Sequence, residues 1–144
     1  MSMSRVVFDT VVFVRALINP YNYAGQLLFT RANEYTLVLS PPIIQGILEV
    51  LSRPEISRKF RAVAGIDLRQ VIDLFATGEI VEFDEIPSAS RDPKDDTYLV
   101  TARVGKAEFL VSEDRHLLDL SPYDGIEVID TVTFLGLLAG TPSE

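Results

Sequence analysis

The chain has 144 residues, 47% of them apolar and 24% charged, which is enough to bury a sizeable core as a single domain over 1–144 and excludes bulk disorder. It has no cysteine, which excludes a disulfide framework and thiolate metal sites. Its net charge of −8 excludes a nucleic-acid binder that works through a broadly basic surface, but not an enzyme whose carboxylates meet phosphate through a cation.

The first residues lead straight into Val6-Val7-Phe8 with no long apolar segment and cleavage site, and no apolar run reaches the ~18 residues of a membrane span. A cytoplasmic protein is expected. Arg5 to Asp9 reads as a buried parallel strand ending in an acid. Val12 to Leu17 continues apolar until Asn19-Pro20 breaks it. Tyr23 to Asn33 reads as a helix and Tyr35 to Leu39 as a second strand. Ser40-Pro41-Pro42 is a helix start, with Ser40 as the N-cap and prolines in the first turn. Ile43, Ile44, Ile47, Leu48 and Leu51 recur at helical spacing, and Pro54 is expected to end that helix. A basic stretch follows, with Arg53, Arg58, Lys59, Arg61 and Arg69.

Asp67 to Ala76 reads as a further helix stopped by Gly78, and Ile80 to Phe83 as a strand. Ile86 to Arg91 is a polar loop. Asp92-Pro93 opens a helix with Asp95 and Asp96 in its first turn, where acids favour the positive dipole end, and Gly105 stops it. Glu108 to Ser112 is a strand, followed by Glu113, Asp114 and a short helix through Leu118. Ile126 to Ile129 is the last strand, and Asp130 or Thr131 caps the last helix. This alternation implies an α/β fold: a Rossmann-like open, mainly parallel sheet of about five strands with helices on both faces.

In such sheets, sites lie beyond the carboxyl ends of the strands. Asp9 and Asp114 close strands, and Asp95 and Asp96 open a helix facing the same rim. Converging carboxylates repel one another, and hard divalent cations such as Mg²⁺ or Mn²⁺ relieve that repulsion. Each acid also has a plainer reading: Asp9 as a turn residue, Asp114 as a cap, and Asp95 and Asp96 as dipole partners. His116 is the only histidine and reads as a surface or packing residue. No glycine-rich phosphate loop is present.

The run Val6 to Val14 resembles the opening strand of PIN domains. Leu37 to Ser40 followed by Leu48-Glu-Val-Leu-Ser-Arg-Pro54 resembles the second strand and third helix of their toxin-type branch. Arg91 to Leu99 with Ala102, and then Phe109 to Leu118, is similar to its acidic helix and last site strand. The resemblance covers residues 5 to 135. It implies a metal-dependent endoribonuclease whose acids bind Mg²⁺ or Mn²⁺, with water attacking phosphorus in line to leave a 5′-phosphate and a 3′-hydroxyl. Carried over, Asp9 is the first ligand, Asp95 the third acid because it stands seven residues before Ala102, and Asp114 the fourth. Asp96 is the neighbouring alternative to Asp95, and Thr10 and Ser112 match small polar residues that orient the site. The resemblance also implies an RNA substrate, a cognate antitoxin and a homodimer. Arg53, Arg58 and Lys59 are candidates for contact with the RNA backbone.

Two positions depart from the pattern. Val11 stands where the family has Asn. Gly46 stands where the third helix carries a catalytic Glu, and Glu49 lies a turn further on, ~5 Å along the axis. A glycine in mid-helix costs roughly 1 kcal/mol against alanine, so helix stability does not explain it. Two readings follow: an active nuclease in which Glu49 takes part, or a catalytically weakened PIN-fold module that binds RNA or a protein partner. A receiver-type or phosphatase-like domain with a phosphorylated Asp9 ranks below both, since Val11 and the poorly placed Lys106 do not supply its other groups.

Overall fold

The computed structural model describes residues 3–59, 68–83 and 93–140. Five strands, β1 (Arg5–Phe8), β2 (Thr36–Leu39), β3 (Glu79–Ile80), β4 (Phe109–Val111) and β5 (Glu127–Ile129), form one parallel sheet in the order β3-β2-β1-β4-β5. The helices are α1 (Thr10–Ile18), α2 (Tyr23–Gly25), α3 (Pro41–Leu51), α4 (Pro54–Lys59), α5 (Leu68–Thr77), α6 (Pro93–Val104), α7 (Arg115–Leu118) and α8 (Thr131–Ala139). The α/β expectation holds. Among the described residues, no helix is long and apolar enough to cross a membrane.

The central strand is apolar on both faces because both are covered. Val6 pairs with Leu37 and Phe109, and Phe8 with Val111, so these side chains share one face, while Val7, Val38 and Leu110 share the other. On the first face, a chain of rings runs from Phe8 through Tyr35 and Phe134 to Phe109, with centroids 5.6–5.7 Å apart, and seats α8. On the second face, α6 ends against Val38. A Cβ on Gly105 would stand 2.5 Å from Val38 Cγ1, so the glycine permits the close approach.

Several local expectations need correction. The helix expected over Tyr23 to Asn33 is three pieces: α2, a π-helical turn over Gln26–Thr30 and a 3₁₀ turn over Ala32–Glu34. The buried Tyr35 phenol donates to Leu27 O at 2.6 Å, and Arg31 N bonds Gln26 O instead of the carbonyl an α-helix would offer. Pro54 does not merely end a helix; it opens α4. The third strand is Glu79–Ile80 rather than Ile80 to Phe83, although Val81 N still reaches Leu39 O at 2.8 Å. The loop expected at Ile86 to Arg91 lies outside the described residues, as does Asp92, expected with Pro93 to open a helix.

Ser40 stands at the N-cap of α3, but its side chain makes no cap bond. Its hydroxyl lies 2.8 Å from Thr101 Oγ1, and both residues are fully buried. Thr101 Oγ1 donates to Thr97 O at 2.7 Å, so the proton between the two hydroxyls comes from Ser40. The pair ties the end of β2 to the middle of α6. Thr101→Val should strand the Ser40 hydroxyl and cost about 1–3 kcal/mol in urea denaturation. Adding Ser40→Ala to Thr101→Val should recover part of that loss, because no buried donor is then left unpartnered.

Candidate active site

The strand order places a topological switch between β1 and β4. The chain leaves β1 for β2 on one side and returns later as β4 on the other. In open parallel sheets, the crevice at the carboxyl end of such a switch is where ligands bind. Asp9 follows β1, and Ser112 and Asp114 follow β4, so the expected site residues of both strands meet there.

Asp9 is 4% exposed. It is the N-cap of α1, with Oδ1 accepting from Val12 N at 2.8 Å, while Oδ2 accepts a short hydrogen bond from Ser112 Oγ. Its own N–H bonds Val111 O at 3.1 Å, closing the β1–β4 seam. Burial pushes the Asp9 carboxyl above the ordinary carboxylate range. The Ser112 and Val12 hydrogen bonds pull the other way, and the charges of Asp114 and Glu113 add to the rise.

Ser112 is fully buried, and its hydroxyl serves two strand ends. It donates to Asp9 and accepts from Asp114 N at 2.9 Å. Asp114 is exposed and caps α7, with Oδ1 accepting from His116 N at 2.9 Å. The plainer reading of Asp114 as a cap is therefore true, and its charge is also felt at Asp9. Glu113 is bonded elsewhere, its Oε2 accepting from both the N–H and the hydroxyl of Thr131 at 2.8 Å, at the start of α8. His116 is exposed, as expected.

Beside Asp9 lies a groove of about 340 Å³ lined by α1, α3 and α6, with Thr10, Val11, Gly46, Glu49, Arg53 and Tyr98 among its walls. Gly46 faces the site: a Cβ built on it would point at Thr10 Oγ1, 3.4 Å away, an ordinary contact distance. Glu49 lines the same groove a turn later and, among the described residues, its side chain is held by an exposed pair with Arg53 at 3.4 Å. Val11 is 53% exposed and forms part of the wall. Arg58 is exposed on α4, with its Nε 3.5 Å from Pro54 O. The side chain of Lys59 lies outside the described residues.

Asp95 and Asp96 belong to the first turn of α6, and their side chains also lie outside the described residues. Among the described residues, no group of three His, Cys, Asp or Glu is placed to hold a metal ion. The described acids at the switch are Asp9 and Asp114, with Glu113 beside them. Sequence reasoning missed Tyr98, whose hydroxyl donates to Thr10 Oγ1 at 2.8 Å and accepts from Thr10 N at 3.1 Å. Its place three residues after Asp95, one turn along the acidic helix, was the available signal.

A family model described as "PIN domain" matches residues 5–116. No curated protein matches the chain. Among solved structures, the chain is similar to a domain of a functionally unknown protein from Methanocaldococcus jannaschii, with a TM-score of 0.53 and 18% identity over 87% of this chain and 89% of that one. That likeness bears on the fold alone.

The raised Asp9 carboxyl has a consequence for stability. Its folded-state pKa lies above the unfolded value, so the folded state is favoured while Asp9 is protonated. That contribution is lost as pH rises through the folded pKa. Asn at this position keeps the cap acceptor for Val12 N and can donate to Ser112 Oγ. Asp9→Asn should therefore raise the melting temperature of the metal-free protein at neutral pH by a few degrees. The gain should shrink toward acid pH in paired thermal melts.

Proposed function

The chain belongs to the PIN domain family, and on that premise we propose that it is a metal-dependent endoribonuclease that hydrolyses RNA phosphodiester bonds as the toxin of a toxin–antitoxin pair. PIN domains are generally nucleases, so nucleic acid is the substrate class the family sets. The observation that carries the reading is Asp9, a carboxylate sunk at the topological switch with Asp114 close enough to oppose its ionisation.

The donor chemistry fits Mg²⁺ or Mn²⁺, because the acids are hard oxygen donors whose mutual repulsion a cation relieves. Asp9 and Asp114 would hold the ion, with Asp95, or Asp96 beside it, adding an acid from α6. A bound cation supplies neutralisation of charge on the scissile phosphate and a water acidic enough to attack it. Ser112 keeps the Asp9 carboxylate in one orientation and ties the Asp114 backbone to it. Thr10 lines the groove where the strand would pass. Arg53, Arg58 and Lys59 are assigned to its phosphates, a local attraction needed on a chain of net charge −8. The same acidic balance suits an antitoxin that presents a basic segment to the cleft, and the working form is proposed to be a homodimer.

Gly46 favours a second reading. The α3 wall presents no carboxylate at the position facing Thr10, and Glu49 stands a turn away in a loose pair with Arg53. In that reading, the chain is a weakened PIN-fold module that binds RNA or a protein partner. In the first reading, Glu49 is the α3 acid that takes part.

Cleavage of single-stranded RNA with Mn²⁺ or Mg²⁺ separates the two. The nuclease reading expects cutting by the natural chain, lowered at least about 100-fold in Asp9→Asn and Asp114→Asn, and loss in Glu49→Gln if that residue takes part. Activity that appears only on Gly46→Glu would establish the weakened module. Silence from every variant would remove the nuclease proposal.

A further inference from the structure

Resting on the reading of this site as a phosphodiester-cleaving centre, we propose that Tyr98 is a positioning residue: it turns the Thr10 hydroxyl proton into the groove, where Thr10 donates it to a phosphate oxygen of the bound strand. The direction follows from where each proton goes. The Tyr98 phenol has one proton, and it goes to Thr10 Oγ1 at 2.8 Å. The phenol oxygen is already an acceptor, taking the Thr10 N–H at 3.1 Å. Thr10 Oγ1 thus receives a hydrogen bond from Tyr98, and its own proton points elsewhere.

Among the described residues, no hydrogen bond joins the Thr10 hydroxyl to the carboxylate nearest in the chain. Asp9, the preceding residue, has Oδ1 on Val12 N and Oδ2 on Ser112 Oγ. The open direction is the groove, which Thr10 and Tyr98 both line. Gly46 keeps that direction clear: the first atom a Cβ there would meet is Thr10 Oγ1, at 3.4 Å. Thr10 is also the first residue of α1, a helix of 9 residues whose positive end adds to the attraction for an anionic oxygen. Were a cation held at Asp9, the hydroxyl on the next residue would stand beside a phosphate bound there and could donate to its non-bridging oxygens. In this proposal Tyr98 acts on that phosphate through Thr10.

The test is a double-mutant cycle on Thr10→Val and Tyr98→Phe, with Thr10→Ser as the conservative variant. Three quantities are measured: single-turnover cutting of a fluorescein-labelled single-stranded RNA with Mn²⁺, its Kd by anisotropy with Ca²⁺ in place of Mn²⁺, and the urea midpoint of each variant. Thr10→Val and Tyr98→Phe should each weaken cutting or binding on the order of tenfold, and Thr10→Ser should keep most of both. The double variant should cut and bind no worse than Thr10→Val alone once differences in the urea midpoint are allowed for, because the hydroxyl that Tyr98 turns is already gone, while the phenol still accepts the backbone N–H of residue 10. Multiplying losses that track the urea midpoints would mean a merely structural role and would overturn the proposal. So would a Tyr98→Phe protein that cuts and binds like the natural chain.

The outcomes also separate this proposal from the reading beneath it. Cutting that Asp9→Asn abolishes but Tyr98→Phe spares sinks only the proposal. If the natural chain binds without cutting, the nuclease reading fails and the same cycle is read from Kd. A natural chain that neither binds nor cuts sinks both.

Discussion

Asp9 brings a carboxylate into a place where burial and two neighbouring acids all resist its ionisation, and the local structure is arranged around that conflict. Both of its oxygens are hydrogen-bonded, one by the first turn of α1 and one by Ser112. The second bond exists only because β1 and β4 are in register. Phe8 pairs with Val111, so Asp9 and Ser112 are the next residues of the two strands and stand level. A slip of one residue would turn Ser112 to the opposite face and leave the carboxylate without its donor. The site therefore depends on strand pairing as much as on the acids, and the apolar packing that sets the pairing belongs to the same device.

Two hydroxyl ties do for α6 what strand register does for β4. Tyr98 joins α6 to the start of α1, and Thr101 joins it to the end of β2. The two residues are three apart, neighbours on the helix surface, so together they fix both the height and the rotation of α6 against the carboxyl rim. The first turn of that helix carries Asp95 and Asp96. The helix that carries them is thus held against the rim by neutral hydrogen bonds that need no counter-ion.

The fold was legible in the sequence wherever the signal was local. The unbroken apolar run into Asp9, the serine and prolines before α3, and Gly105 after α6 each announce an element through burial or backbone preference within a few residues. Asp9 and Asp114 were legible as site candidates because strand ends are predictable once strands are. The contacts that define the groove were not. Tyr98 and Thr10 are 88 residues apart, and Ser40 and Thr101 are 61 apart, so no window along the chain holds both partners. Ser40 looked like a cap for the same reason: its residue type fits one, and its actual partner is remote. The broken helix after Tyr23 was hidden because its break comes from the Tyr35 phenol taking the Leu27 carbonyl, a competition that periodicity does not register. Glu113 stands beside Asp114 in the sequence, yet its carboxylate serves Thr131 of α8.

The two ends of the sheet are short: β3 has two residues and β5 three. An edge of that length presents too few free backbone groups to template a strand from another molecule, and strand addition is how open sheets most readily associate or aggregate. Arg5 reinforces one end, reaching from β1 past β2 to Glu79 at 2.9 Å and to Gly105 O at 2.7 Å. Growth of the sheet by annexing a neighbour is thereby discouraged. Exposed apolar area stands instead on helix surfaces, such as that of α8, where Val132 is about half exposed.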